Sequence, residues 1–280
     1  MTPPRTIRGI GLFTGADTAV TIETADAPAG ITLIADGIEI PATIASLSEH
    51  PVHPAFAAMP PRHTVLGLTG ASVATTEHML AALAGAGVWS ARVRVDGPEV
   101  PIMDGSGAPF AGVIGEAGGP GPEPITLDHD ILIEDGDARI VARPSGSPRY
   151  EYRLDYGDAA PAAMRRSSAS WRVGDREGFL TEVAPARTFS MLHEVEAMRS
   201  LGLFERFTPR DLLVLGPDGP IENTLRFEDE PARHKLLDLI GDLALLGAPL
   251  HAEVIAERSG HRHTHELVRR VLETRGEAGR

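Results

Sequence analysis

Histidine and acidic side chains at helical spacing are the feature of this sequence that points most directly to chemistry. His234 and Asp238 are four residues apart, so on a helix they share one face and can bind one cation together. Asp242 lies four residues further along that face, where it can orient another group by hydrogen bonding. Lys235 points about 100° away and can meet an anion. A charged, solvated helix face is the alternative interpretation.

A second acid–histidine pair, Glu77 and His78, stands where a helix is expected to begin. Thr75 and Thr76 are both suitable N-cap residues, and an apolar stripe at helical spacing follows them. An adjacent acid and histidine can supply a base beside a metal ligand, and a helix N-terminus favours an ionised carboxylate. A first-turn acid next to a structural histidine is the alternative.

Histidines also alternate after a Ser-Gly turn near the end of the chain. His261 follows Ser259-Gly260, and His263 and His265 occupy every second position after it. Strand spacing would place the three rings on one face, where they can form a metal site of their own. A polar loop is the alternative.

The elements that must position these residues are predicted as strands followed by helices, in each half of the chain. Strands are predicted over 19–23, 31–34, 88–95, 125–127, 131–134, 138–142, 150–156 and 254–257, and residues 159–170 as a loop. Helices are predicted from Thr75 or Thr76 and over 108–117, 189–201, 230–246 and 265–274. Thr188 precedes the 189–201 helix, so its hydroxyl fits an N-cap. This order of elements predicts an α+β fold rather than a doubly wound sheet.

A run of proline and glycine near the middle of the chain predicts a domain boundary. Residues 118–124 read Gly-Gly-Pro-Gly-Pro-Glu-Pro, which joins neither a helix nor a central strand. A chain of 280 residues suits two domains of about 120–150 residues each. We therefore expect an N-terminal domain over 1–119, a linker over 120–124 and a C-terminal domain over 125–280.

Composition restricts the classes of partner and metal site. The net charge of −13 would repel nucleic-acid phosphates, so an anionic substrate needs a local basic pocket. Without cysteine, any metal site must use His, Asp, Glu or water. The apolar run from Met79 to Trp89 is shorter than the roughly 20 residues that cross a bilayer. With no signal-peptide pattern at the N-terminus, we expect a cytoplasmic protein without stable membrane insertion.

Taken together and in order, the motifs resemble the UDP-3-O-acyl-N-acetylglucosamine deacetylase family. The matching segments cover nearly the whole chain: Thr76–Gly85, Val95–Ser106, Ala186–Phe189, Leu225–Glu230, Arg233–Asp242 and Ser259–His261. The resemblance implies two α+β domains, each a β-sheet layered on helices, with the helices of both domains sandwiched between the two sheets. It also implies a metal-dependent deacetylase of lipid A biosynthesis that acts on a UDP-linked acylated amino sugar.

The resemblance assigns the metal chemistry to three ligands and a base. His78, His234 and Asp238 would hold Zn²⁺, with Fe²⁺ as a possible alternative. Three protein ligands with an open fourth position are typical of catalytic zinc sites. Glu77 would be the general base that takes a proton from the attacking water.

The remaining roles concern the leaving group and the substrate. His261, held by Asp242, would protonate the departing amine, and the Thr188 hydroxyl would help to stabilise the oxyanion. Lys235 would meet the substrate phosphates. Phe189 would line an apolar groove for the acyl chain, although a core position fits it equally well.

Three positions depart from the family pattern. Phe13 stands where the family has a histidine near the active site, and neither His263 nor His265 has a family counterpart that explains it. A related zinc amide hydrolase acting on another acetamido sugar, and a non-catalytic ligand-binding descendant, are therefore the alternatives to the deacetylase. We expect a monomer.

Overall fold

The structure, a computed structural model, describes residues 4–25, 29–48, 50, 53, 62–114, 121–158 and 160–276. Its helices are α1 (Glu77–Gly85), α2 (Ala108–Ala111), α3 (Arg176–Gly178), α4 (Leu192–Ser200), α5 (Glu230–Leu243) and α6 (His261–Thr274). Its strands are β1 (Arg5–Ile10), β2 (Asp17–Thr24), β3 (Ile31–Ala35), β4 (Ile38–Pro41), β5 (Leu66–Leu68), β6 (Ala71–Val73), β7 (Ala91–Asp96), β8 (Ile125–Thr126), β9 (Ile131–Asp135), β10 (Ala138–Pro144), β11 (Arg149–Leu154), β12 (Ser167–Arg172), β13 (Phe189–Met191), β14 (Leu213–Gly216), β15 (Gly219–Pro220) and β16 (Leu250–Glu257).

Two mixed sheets with the same topology form the framework. The first has the order β1-β2-β7-β3-β4. The second has β9-β10-β16-β11-β12, and a sixth short strand, β8, pairs in parallel with the start of β16. In each sheet the strand that comes last in the chain lies in the centre. β7 is antiparallel to β2 and parallel to β3, and β16 is likewise antiparallel to β10 and parallel to β11. The sequence shows no repeat, but the two halves share this arrangement of strands.

Two of the helices are buried on nearly every side. All nine residues of α1 are buried, as are twelve of the fourteen in α5. α1 packs against α5, and α5 also packs against β11 and β12. A helix that is apolar and buried all round must be covered on all its faces. The predicted α+β fold, with helices layered between two sheets, is confirmed.

Several element boundaries differ from those predicted. Residues 189–191 form β13, which pairs in parallel with β14, so α4 begins at Leu192 and Thr188 is not an N-cap. Part of the predicted 159–170 loop is β12, which pairs with β11. α2 ends at Ala111, and residues 115–117 of the predicted helix lie outside the described residues.

The ends of the C-terminal elements also differ. β16 begins at Leu250, four residues before the predicted strand. The prediction missed these residues because two of the four buried positions in β16 are alanines, which weaken the alternation of apolar and polar residues.

The predicted domain boundary stays a prediction, since residues 115–120 lie outside the described part of the chain. Among the described residues, no helix combines the length and apolar character needed to cross a membrane.

Candidate metal centre and active site

The contact between α1 and α5 brings the acidic and histidine side chains together. A Cβ atom on Gly241 of α5 would lie 2.1 Å from the backbone oxygen of Glu77 in α1, far inside van der Waals contact. Glycine therefore permits an approach that no other residue allows. At this contact the rings of His78 and His234 lie edge to face, with centroids 4.9 Å apart.

His78, His234 and Asp238 present three ligand atoms to one point. Asp238 Oδ1 lies 3.5 Å from His78 Nε2 and 3.4 Å from His234 Nε2, and all three ligand atoms lie within 4.8 Å of one another. Two ligands about 2.1 Å from a tetrahedral zinc ion are about 3.4 Å apart. The three side chains therefore have the spacing and chemistry to hold one metal ion.

The Asp238 carboxylate points independently to a cation. Its Oδ1 atom is buried but has no hydrogen-bond partner among the residues that the structure describes, a costly arrangement without a positive charge beside it. Burial raises the pKa of this carboxyl, but the charge of Lys235 leads the interactions that outweigh burial and hold the pKa well below its usual range. Lys235 Nζ donates to Oδ2 at 2.9 Å, which leaves Oδ1 for the metal.

The surroundings of His234 keep its ring neutral. Its Nδ1 atom lies 3.2 Å from the carbonyl oxygen of Ala186, which can only accept, so Nδ1 carries the proton. The lone pair is then on Nε2, the atom that faces Asp238. Burial lowers the pKa of His234 to about 3, so the ring is uncharged at neutral pH and free to bind a metal.

Glu77 is buried beside His78 at the start of α1. Its Oε2 atom accepts a hydrogen bond from the backbone N–H of Thr64 at 3.0 Å. Burial raises the pKa of Glu77 above its ordinary value of 4.5, more than His261 and His78 lower it. This direction is opposite to the one expected from the position of Glu77 at a helix N-terminus, and it brings the pKa of Glu77 closer to that of an efficient base at neutral pH.

His261 and Asp242 form a buried pair next to Asp238. His261 Nδ1 lies 2.7 Å from Asp242 Oδ2, and His261 Nε2 lies 3.9 Å from Asp238 Oδ2. Burial lowers the pKa of His261, but the Asp242 carboxylate more than offsets this and raises it to about 9. The imidazolium is therefore the favoured state at neutral pH, with Nε2 directed at the metal ligands.

Thr64 is a site residue that the sequence did not reveal. It is fully buried, and its Oγ1 atom lies 2.6 Å from Asp242 Oδ1 and 3.0 Å from His265 Nε2. Its carbonyl oxygen accepts hydrogen bonds from both the N–H and the hydroxyl of Thr76. Thr76 therefore occupies the N-cap position of α1, as predicted, but its hydroxyl bonds to Thr64 and not to the helix. A single threonine next to a Pro- and His-rich loop carries no sequence signal for this role.

The three C-terminal histidines lie on a helix, so the expectation of strand spacing is wrong. α6 begins at His261, four residues earlier than predicted, and the Gly260 N–H donates to His263 Nδ1 at 3.1 Å in its first turn. His265 lies one turn after His261, on the same face and against Asp242, whereas His263 Nε2 faces Asp135 at 3.6 Å. The three rings therefore do not share one face.

Asp242, His261 and His265 form a second group with the residue types of a metal site. The contacts within it are hydrogen bonds, since both Asp242 oxygens have close donors in Thr64 and His261. The Asp242 carboxylate therefore has its hydrogen bonds satisfied without a cation, whereas Asp238 Oδ1 has no donor among the described residues.

A cavity of about 340 Å³ opens beside His234, one of the candidate metal ligands. Thr188, Phe189 and Lys235 line it together with His234 and His261. Lys235 Nζ lies 5.9 Å from the centroid of the Phe189 ring. Part of the lining is apolar and comes from one hydrophobic cluster that includes Leu12, Phe13, Met198, Phe204, Phe207 and Leu212.

A buried ion pair holds the segment that carries Thr188. Arg187 Nε lies 2.8 Å from Glu230 Oε1, and the same guanidinium donates to Asn223 Oδ1 and the Thr224 carbonyl oxygen. The backbone N–H of Thr188 donates to the Gly105 carbonyl oxygen at 2.6 Å. The Ala186–Phe189 and Leu225–Glu230 motifs are therefore parts of one structural unit.

Phe13, at the position where the resemblance predicts a histidine, belongs to the apolar part of the cavity lining. Its ring stacks on His63 with centroids 4.5 Å apart. Its backbone N–H and that of Thr14 donate to the buried carboxylate of Glu99, which also accepts the Thr75 hydroxyl. Glu99 thus anchors the Val95–Ser106 motif to the N-terminal loop.

Comparisons with known proteins agree with this arrangement. The family model described as UDP-3-O-acyl N-acetylglycosamine deacetylase matches residues 2–273. Proteins named UDP-3-O-acyl-N-acetylglucosamine deacetylase are 39% identical in Anaeromyxobacter dehalogenans, over 94% of this chain and 83% of that protein, and 36% identical in Myxococcus xanthus, over 95% and 83%. A protein of that name from Nostoc sp. is 35% identical over 94% of both chains.

Proposed function

Because the chain belongs to the UDP-3-O-acyl-N-acetylglucosamine deacetylase family, we propose that it hydrolyses the N-acetyl group of a UDP-linked 3-O-acyl-N-acetylglucosamine. The products are the free amine and acetate, in the committed step of lipid A biosynthesis. The convergence of His78, His234 and Asp238 on one point is the observation that carries this proposal.

We propose Zn²⁺ as the resident metal. Two imidazoles and one carboxylate suit zinc, and they also suit Fe²⁺, which is the alternative ion. When bound, the metal would act as a Lewis acid that acidifies a water molecule and polarises the amide carbonyl. The bare Oδ1 of Asp238 and the unprotonated Nε2 of His234 are the features of this chain that support a cation here.

Glu77 is proposed as the general base. It precedes the ligand His78 directly, and the Thr64 N–H fixes one of its carboxylate oxygens. Its burial excludes bulk water, and the raised pKa makes the carboxylate a better proton acceptor than an exposed glutamate. A proton taken from the attacking water would be held on Glu77.

His261 is proposed as the general acid. When the amide C–N bond breaks, the nitrogen must leave with a proton, and the imidazolium of His261 can donate it from Nε2. Asp242 holds the ring through Nδ1 and keeps the imidazolium favoured at neutral pH. Glu77 and His261 thus have pKa values shifted upward by different causes, burial for the acid side chain and a carboxylate for the histidine.

Thr188 and Lys235 are proposed as substrate contacts. The Thr188 hydroxyl can stabilise negative charge on the carbonyl oxygen, because the Arg187–Glu230 ion pair holds its segment at the cavity wall. Lys235 donates one of its three protons to Asp238 and faces the cavity, so the others can meet a phosphate. Lys235 supplies positive charge in a protein of net charge −13.

The apolar cavity wall supports an acylated substrate over a smaller acetamido sugar. Six apolar side chains of one hydrophobic cluster line the cavity, and an acyl chain would remove their surface from water. We place Phe189 at the start of this wall, next to the metal ligand His234, with ring centroids 6.2 Å apart. A cytoplasmic location and a monomeric state are also proposed.

The test is a mass-spectrometric assay of the zinc-loaded chain with a UDP-3-O-acyl-N-acetylglucosamine. Release of acetate, with a far lower rate on the matched UDP-N-acetylglucosamine that lacks the acyl chain, is expected. His129→Ala, at an exposed histidine, is the control for His234→Ala. Absence of acetate release after zinc addition would overturn the proposed function, and equal rates on the two substrates would overturn the acylated substrate.

A further inference from the structure

His265 has no part in the proposed chemistry, yet it is buried against the general-acid pair. It lies one turn of α6 after His261, and only about 3% of its surface is exposed. Its Nε2 atom lies 3.0 Å from Thr64 Oγ1 and 3.4 Å from Asp242 Oδ1. A buried histidine in such contacts must have its ring nitrogens oriented by its neighbours.

The direction of the hydrogen bonds follows from the Asp242 carboxylate. Burial raises the pKa of Asp242, but His261 and His265 hold it well below its usual range, so the group is ionised and can only accept. The Thr64 hydroxyl must therefore donate its single proton to Asp242 Oδ1 at 2.6 Å. Thr64 Oγ1 is then an acceptor for His265, whose Nε2 must carry a proton.

The backbone of Thr64 is hydrogen-bonded to Glu77, the proposed general base. Its N–H donates to Glu77 Oε2 at 3.0 Å, and its carbonyl oxygen accepts two hydrogen bonds from Thr76 at the start of α1. One residue thus contacts both the proposed base and the carboxylate that orients the proposed acid. Its position is set by α1, the helix that also carries the metal ligand His78.

We propose that Thr64 and His265 are positioning residues that form one hydrogen-bonded chain with Asp242 and His261. In this chain His265 Nε2–H donates to Thr64 Oγ1, and Thr64 Oγ1–H donates to Asp242 Oδ1. His261 Nδ1–H donates to the other carboxylate oxygen, Asp242 Oδ2. The chain fixes both oxygens of the carboxylate. The carboxylate then has one orientation, and His261 Nε2 stays directed at the metal ligands. This proposal rests on the proposed role of His261.

Variants of Thr64 test the chain. Thr64→Val removes the hydroxyl but keeps the backbone N–H to Glu77, so kcat should fall about 10- to 100-fold while KM changes less than about twofold. Thr64→Ser keeps the hydroxyl and should restore most of kcat. Thr18→Val is the matched control, because it also removes a buried hydroxyl, which donates to the Glu99 carbonyl oxygen at 2.7 Å, and Thr18 does not line the cavity. It should lower the melting temperature without lowering kcat.

Variants of His265 test whether the two residues act through the same carboxylate. His265→Leu should lower kcat, and His265→Gln, whose amide N–H can replace Nε2–H, should recover part of it. The double variant of Thr64→Val with His265→Leu should be no slower than Thr64→Val alone, because both changes break one chain. Multiplicative losses in the double variant would show independent effects and overturn the chain.

A spectroscopic readout is independent of turnover. Long-range ¹⁵N–¹H NMR of the zinc-loaded protein at pH 7 should show a proton on Nε2 of His265. A bare Nε2 would mean that Thr64 donates to His265 rather than to Asp242, which overturns the proposal. So would Thr64→Val with wild-type kcat, or an equal loss of kcat in Thr18→Val. Failure of the wild type to release acetate would instead count against the proposed function and leave the NMR test standing.

Discussion

Substitution of Gly241 by alanine should disrupt the metal centre from the backbone side. The new Cβ would lie 2.1 Å from the Glu77 carbonyl oxygen, and ordinary contact begins at 3.4 Å, so the start of α1 must move by about 1.3 Å relative to α5. Glu77 and His78 would move with it, whereas His234 and Asp238 stay on α5. The three ligand atoms would then no longer be spaced for one ion.

Two effects of Gly241→Ala can be measured separately. Overpacking of this kind costs about 1–3 kcal/mol of unfolding free energy. Misplacement of a catalytic group by about 1 Å costs about 10²-fold in rate. Chemical denaturation measures the first, and kcat together with zinc affinity measures the second. We expect both to change in Gly241→Ala.

The control for this substitution is Gly112→Ala. Gly112 follows the short helix α2, and a Cβ there would meet its nearest atom, the Ala108 carbonyl oxygen, at 3.4 Å. This variant should keep wild-type zinc affinity and kcat. Wild-type stability, zinc affinity and kcat in Gly241→Ala would refute the argument that the close contact between α1 and α5 sets the site.

Three further predictions concern single side chains. His234→Ala should lose both zinc and activity, measured by metal analysis and acetate release; retained stoichiometric zinc would contradict its role as a ligand. Glu77→Gln should keep zinc but lower kcat by about 10²–10⁴-fold, and loss of metal instead would make Glu77 a ligand rather than a base. In metal-free protein, the raised pKa of His261 gives a stabilisation that is fully present below its unfolded pKa of about 6.5 and is lost as pH rises through about 9. Denaturation between pH 6 and 10 should show this decline, and Asp242→Asn should abolish it; an unchanged decline in that variant would contradict the pairing.

The residues that converge at the site were predictable where their spacing matched a regular element. His234, Asp238 and Asp242 lie on α5 at intervals of four, and α5 has the predicted extent up to Leu243 followed by one tighter turn to Leu246. The contact of that helix with His78 was not predictable from spacing. It depends on the absence of a side chain at Gly241, which only the packed structure reveals.

The missed features depend on tertiary contacts that no local pattern encodes. Thr64 follows an irregular segment and is held by α1, so nothing in its neighbours in sequence predicts its contacts with Asp242 and His265. The alternation of His261, His263 and His265 suggested a strand, yet the Gly260 N–H bonds to His263 Nδ1 and starts a helix there. The spacing of these histidines alone did not distinguish a strand from a helix, and the hydrogen bond from the Gly260 N–H to the His263 side chain favours the helix.

The most direct test of the account is anomalous diffraction at the zinc edge from crystals of the zinc-loaded protein. We predict one strong peak per chain about 2.0–2.2 Å from His78 Nε2, His234 Nε2 and Asp238 Oδ1. A peak bound by other side chains, or full zinc loading without density between these three, would contradict the claim that they form the metal centre.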